Sequence, residues 1–193
     1  PGAPAWRSRY RQDRFQVINQ EKQIYMDPKF KGKAGYALGV QPFSIANGIL
    51  TITAQRADPV RVKPYILNFD YTSGCITSEL THWQTYGYFE MRARLPLGKG
   101  FWPAFWLLPK KPVWPPEVDV FEASGARPKS VHIGLIGKGP QSGDIWVNGV
   151  IDTTDGFHVY GLEWTADAIV WFIDGREVWR RANFIDQDMF VLA

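Results

Sequence analysis

Between Tyr86 and Leu95 the chain alternates strictly, with Phe89, Met91, Ala93 and Leu95 on one side and Tyr88, Glu90, Arg92 and Arg94 on the other. A period of two describes a strand with one face in a core, and no helix can present it. The pattern recurs from Ile49 to Ala54, where Leu50, Ile52 and Ala54 oppose Ile49, Thr51 and Thr53. Ala168 to Ile173 is apolar on both sides, and Asp174-Gly175 offers a hairpin turn before Arg176-Glu177-Val178-Trp179. Further turn signals lie at Asn47-Gly48, Ser73-Gly74, Gly98-Lys99-Gly100, Gly137 to Gly143, Asn148-Gly149 and Asp155-Gly156. No segment holds a convincing helical period over about 12 residues. Many short strands with frequent turns predict an all-β fold, a two-sheet antiparallel sandwich. There is no repeat or linker, so residues 1–193 read as one domain. Asp188 to Ala193 reads as a strand in progress, and a further C-terminal strand or strands are expected beyond it.

The aromatic load is high, with nine Trp, eight Tyr and twelve Phe, which suits a protein with a binding surface. The formal charge of +3 is too weak to argue for nucleic acid. Arg7, Arg9, Arg11 and Arg14 read as a solvated basic arm. The single cysteine, Cys75, excludes an intrachain disulfide and reads as a buried small hydrophobe. No apolar run approaches the roughly 18 residues of a helical membrane span, and no signal peptide is visible.

Glu117-Val118-Asp119-Val120-Phe121-Glu122 carries the chemistry. Strands disfavour Asp and Glu, and acids this close raise one another's pKa values. Such a cluster is costly for stability and useful for acid–base work. Glu117 and Asp119 share a face, whereas Glu122 has the wrong parity. A β-bulge near Val120-Phe121 corrects it. Glu117 and Glu122 then lie four strand steps apart, about 13 Å between Cα atoms. Side chains leaning together on a concave sheet can close their carboxyls to about 5–5.5 Å, the gap of a retaining glycosidase, whereas an inverting one needs about 6.5–9.5 Å to admit a water. One carboxylate attacks the sugar and the other protonates the leaving oxygen. Asp119 between them can hydrogen-bond the nucleophile. A solvated outer face or a calcium site are the alternatives for three acids on a strand.

The surroundings favour the first reading. Trp114-Pro115-Pro116 precedes the acids, and Trp102 and Trp106 lie upstream with the same strand parity. Sugars present C–H faces that stack on such rings. Trp164 and Trp171 are assigned to the core. Among the histidines His82, His132 and His158, His132 follows the acid strand by one hairpin and can face the same cleft.

At these residues the chain closely resembles glycoside hydrolase family 16, whose bulge-containing branch carries Glu-x-Asp-x-x-Glu. Tyr71-Thr72-Ser73-Gly74, Tyr86-Gly87-Tyr88-Phe89-Glu90, Trp102 to Leu108, Gly156 to Tyr160, Glu163-Trp164-Thr165 and Trp171 to Gly175 extend the resemblance over roughly residues 40–193. It implies a jelly-roll sandwich whose concave sheet forms an open cleft, and an endo-acting, retaining hydrolase of β-glucosidic bonds. It implies Glu117 as nucleophile, Asp119 as assisting carboxylate and Glu122 as acid/base. Trp102, Trp106 and Trp114 match sugar-lining positions, and His132 matches a polar position beside the acid/base. No cofactor is implied for catalysis, and a structural calcium is compatible with the fold. Within the family, Leu107-Leu108-Pro109 followed by Trp114 to Glu122 is most similar to bacterial exopolysaccharide glycanases of the succinoglycan type, with laminarinases and mixed-linkage β-glucanases next. The expected partner is a polysaccharide, with no nucleic acid or membrane. The expected state is a secreted or extracellular monomer. A non-catalytic carbohydrate-binding module on the same fold is the alternative. Cys75 departs from the family, many members of which carry Arg there.

Overall fold

The computed structural model describes residues 6–8 and 21–193, so Arg9, Arg11 and Arg14 of the expected basic arm lie outside the described residues. The chain divides into two compact units, residues 1–77 and 78–193.

In the first unit the strands are β1 (Gln23–Tyr25), β2 (Phe43–Ala46), β3 (Ile49–Ile52), β4 (Gln55–Arg56) and β5 (Tyr71–Ser73). β5 pairs with β1 in parallel and with β4 antiparallel. Ile24, Met26, Ala57, Val62 and Ile66 form a small core. The β2–β3 hairpin turns where predicted, with positive φ at Asn47 and Gly48. The alternation expected from Ile49 to Ala54 does not produce a buried face. Ile49 and Leu50 are both exposed, because β2 and β3 pair only with each other among the described strands. Cys75 is buried, as expected.

The second unit is a two-layer antiparallel sandwich. Its strands are β6 (Gly87–Ala93), β7 (Ala104–Pro109), β8 (Glu117–Glu122), β9 (Ser130–Ile136), β10 (Gly143–Asn148), β11 (His158–Trp164), β12 (Ala168–Ile173), β13 (Arg176–Ala182) and β14 (Met189–Leu192). One sheet has the order β10-β9-β8-β7-β14, and the other β13-β12-β11-β6. The alternation of β6 works as its sequence demands, with Phe89, Met91, Ala93 and Leu95 on the core side. Trp164 and Trp171 are each 1 % exposed, the core positions expected of them. Burying side chains of this size stabilises a fold by about 1.5–3 kcal/mol each.

The acid strand β8 is fixed from inside this sandwich. Phe121 packs on Tyr160 of β11 with ring centroids 4.2 Å apart. The indole N–H of Trp171 on β12 crosses the core to donate to the backbone carbonyl of Asp119 at 2.7 Å. At the far end of β12, Asp174 and Gly175 both take positive φ, as a tight hairpin turn requires. The Asp174 carboxylate accepts the Val159 amide and lies 2.8 Å from His158 Nδ1. His158 is thereby spent on a turn.

Candidate active site

The β-bulge is where parity requires it. On one side of β8, Phe105 pairs with Phe121 and Trp106 with Asp119, so β8 holds one more residue than β7 in this stretch. On the other side, Asp119 pairs with Gly134 and Glu122 with His132, again leaving β8 one residue longer. Val120 and Phe121 both turn into the core, 3 % and 2 % exposed, and Glu122 returns to the face of Glu117 and Asp119. The outer face of the five-stranded sheet thus carries all three carboxyls.

Each outer acid is tied to a tryptophan edge. Trp114 Nε1 donates to Glu117 Oε2 at 2.6 Å, and Trp102 Nε1 donates to Glu122 Oε1 at 2.8 Å. Both rings are more than half exposed, so their faces stay open while their N–H edges are fixed. Trp102 lies in the loop before β7 and not on the strand that its shared parity with Trp106 suggested. Trp106 is on β7, directly across from Asp119 and half-buried.

Asp119 is the buried member, 4 % exposed, and Gly134 makes room for it. A Cβ at residue 134 would stand 2.5 Å from Asp119 Oδ2, closer than atoms can pack. Burial, reinforced by the charges of Glu117 and Glu122, pushes the Asp119 carboxyl up to about 9. At neutral pH it is a carboxylic acid. Its Oδ1 receives no hydrogen bond, and its carboxyl lies within hydrogen-bonding reach of Glu117. A proton on Asp119 turns two facing acceptors into a donor and an acceptor. Burial also raises Glu117, opposed by the hydrogen bonds from Trp114 and Asp119, which favour its carboxylate. Three adjacent acids therefore do not carry three charges.

The unfolded chain releases the Asp119 proton near pH 4, whereas the native state keeps it to about 9. A raised native value means that the stabilisation is complete below the unfolded pKa and is lost as pH rises toward the native one. Asp119→Asn has the same shape and nothing to titrate. It is expected to melt above the wild type at pH 8, with the two melting curves converging toward pH 4. An offset independent of pH would rule out the protonated acid.

His132 sits between two carboxylates. Its Nδ1 is 3.0 Å from Glu122 Oε2, and its Nε2 is 2.9 Å from Asp144 Oδ1 on β10. Both ring nitrogens are thus spent on protein groups. The contact with Glu122 is the main reason that the imidazole holds its proton above the usual histidine range. β10 adds residues that sequence reasoning missed. Trp146 pairs with His132 across β9–β10, its ring 5.2 Å from the imidazole and edge-on to Trp102 at 6.0 Å. The Arg127 guanidinium lies 4.9 Å over the Trp146 ring. Only the strand register, unknown before the structure, puts Asp144 and Trp146 on the acid face. Among the described residues no three His, Cys, Asp or Glu side chains converge as a metal site.

The arrangement offers one buried neutral acid between two carboxyls, with open indole faces on both sides. The sequence model for glycosyl hydrolases family 16 matches residues 11–188. The endo-1,3-1,4-beta-glycanase ExsH of Rhizobium meliloti is 42 % identical over 164 residues, covering 84 % of this chain and 34 % of that protein. The chain thus spans about a third of that relative's length. The catalytic domain of an endo-1,3-beta-glucanase (laminarinase) from Thermotoga petrophila superposes with a TM-score of 0.71 at 25 % identity, covering 97 % of this chain and 85 % of that one. SCLam, a non-specific endo-beta-1,3(4)-glucanase, shares the fold with a TM-score of 0.80 at 24 % identity, covering 100 % of this chain and 74 % of that one. The jelly-roll sandwich, the bulged acid strand and the span of the sequence match all say the same thing: this chain belongs to glycoside hydrolase family 16.

Proposed function

We propose that this chain is an endo-acting, retaining glycoside hydrolase that cuts internal β-1,3 or β-1,4 glucosidic bonds of a glucan-like polysaccharide, bacterial exopolysaccharides included. The observation that carries the reading is the bulge, which sets Glu117, Asp119 and Glu122 on one face with Asp119 neutral between the other two. Two carboxyls placed along one strand flank a glycosidic bond only if the glycan crosses that strand. The polymer then passes between them, over Trp106 of β7 on one side and Trp146 of β10 on the other, with the faces of Trp102 and Trp114 beside it.

In the first step Glu117 attacks the anomeric carbon as the bond to the leaving oxygen breaks, and Glu122 protonates that oxygen. The products are a covalent glycosyl-enzyme and the shortened glycan. In the second step Glu122 takes a proton from water, whose oxygen displaces Glu117 and restores both groups. Asp119, donating to Glu117, favours the carboxylate that the first step requires. Neither step calls for a cofactor. The reading places the protein outside the cell, as a monomer, where its polymeric substrate lies. No helix among the described residues is long and apolar enough to cross a membrane.

Reducing-end release from a β-1,3-glucan, a mixed-linkage glucan and a bacterial exopolysaccharide tests the reading. Expected are oligosaccharides of intermediate length whose new ends first appear in the β configuration by NMR. Binding with no release from any of them would make the chain a carbohydrate-binding module instead.

A further inference from the structure

Asp144 stands outside the acid run, on the hairpin strand beyond His132. In the β9–β10 register it lies opposite Gly134, and Trp146 lies opposite His132. Its Oδ1 is 2.9 Å from His132 Nε2, while His132 Nδ1 is 3.0 Å from Glu122 Oε2. The imidazole is one-sixth exposed and Asp144 about half exposed.

Hydrogen-bond chemistry restricts the protons along this row. Asp144 as a carboxylate only accepts, so the contact at Nε2 needs a proton on Nε2. The contact at Nδ1 then has two forms. Either Glu122 is the acid and its O–H donates to a bare Nδ1, or the proton rests on Nδ1 between an imidazolium and a carboxylate. Both forms contain the same single proton, placed between the same two atoms.

We infer that Asp144 is a positioning residue: it fixes His132 with its proton on Nε2, so that Glu122 and His132 together hold one proton for the leaving oxygen. The inference rests on the proposed role of Glu122 as acid/base. It answers a difficulty in that role. Trp102 also donates to Glu122 Oε1, so both carboxyl oxygens are engaged by protein groups while the first step needs a proton on one of them. With His132 as the second holder, the proton stays at the site in either form. In the first step it passes to the leaving oxygen, which leaves Glu122 as carboxylate and His132 neutral with its Nε2 proton. In the second step the same pair takes a proton from water. A histidine oriented by a carboxylate on its far nitrogen is the arrangement that lets serine hydrolases use imidazole near neutral pH.

Among the described residues the charged groups around His132 are few. β8 contributes Glu122, and also Asp119, which is protonated and adds no charge. β10 contributes Asp144. From the loop before β9, Arg127 reaches the Trp146 ring. Two carboxylates in contact with the imidazole outweigh that cation, in keeping with its raised pKa.

Two variants test the inference. Asp144→Asn keeps an acceptor for Nε2–H but removes the charge. Asp144→Ala removes both. Nitrogen-15 NMR of the imidazole, read without substrate, is expected to show wild-type His132 with Nε2 protonated whenever the ring is neutral. In Asp144→Ala the neutral ring is expected to mix tautomers. In both variants the His132 titration is expected to fall by about half to one pH unit, a modest shift because Asp144 is half exposed. The basic limb of the kcat/KM profile should fall with it, and kcat at pH 7 should drop about 3–10-fold with KM within about twofold. An unchanged tautomer and titration in Asp144→Ala would overturn the inference. So would a loss of activity with an unmoved basic limb, which marks a merely structural role. If the wild type cuts no glycan, the hydrolase reading falls, while the NMR experiment still decides what Asp144 does to His132.

Discussion

Glu117→Gln is expected to lower kcat by about 10⁴-fold or more while leaving the fold intact. The substitution preserves the shape that Trp114 and Asp119 surround. An amide oxygen still accepts the Trp114 indole N–H, which lies 2.6 Å from the Glu117 carboxylate. What is lost is the proposed nucleophile, since an amide cannot form the glycosyl ester. Stability should hold or rise, because burial and the charge of Glu122 both disfavour a charge at Glu117. Three measurements decide the matter: reducing-end release, the melting temperature, and mass spectrometry after incubation with a 2-fluoro glycoside. The wild type should gain the mass of one glycosyl unit, and the variant should not. A variant within tenfold of the wild-type rate would remove Glu117 from the mechanism.

Glu122→Ala should slow polysaccharide cleavage by about 10²–10⁴-fold, and azide should restore a rate that water cannot. With no acid, natural leaving groups depart slowly. A substrate with an activated aryl leaving group avoids that step and accumulates the glycosyl-enzyme. Azide needs no base and fits the space vacated by the carboxyl, so the product should be a β-glycosyl azide. The surroundings of Glu122 argue that the loss will be local. Trp102 Nε1 loses its acceptor and His132 Nδ1 its partner, but the Trp102 ring is open to solvent and His132 keeps Asp144. Failure of azide to accelerate turnover with the activated substrate would place the proton donor elsewhere.

Much of the sandwich and part of the site can be read from the residues. Strand β6 is legible because its period of two is unbroken, and the hairpin at Asp174-Gly175 because few residues accept two successive positive φ values. The bulge is legible because the three acids can share a face in no other way. Other features need the pairing itself. Asp144 and Trp146 lie on a strand whose own sequence, Gly143 to Asn148, gives no hint that it borders an acid cluster. They join the site through the register of β10 on β9, across a glycine-rich turn whose length does not determine it. The exposed strand β3 shows the opposite case. Its alternation is real, but a strand pattern encodes a buried face only when a second layer arrives to bury it.

The bulge also ties the working distance between the acids to the interior of the protein. Val120 and Phe121 both point inward, so the core receives two consecutive side chains where a regular strand would supply one. Phe121 in turn fills the space between Phe105 and Tyr160. Shortening the run by one residue would leave the last acid on the correct side and open a hole beneath it. The reach from Glu117 to Glu122 is therefore inherited through packing. Exposed loops and surface aromatics can change without touching that packing, whereas the separation of Glu117 and Glu122 changes only when the inside is rebuilt around them.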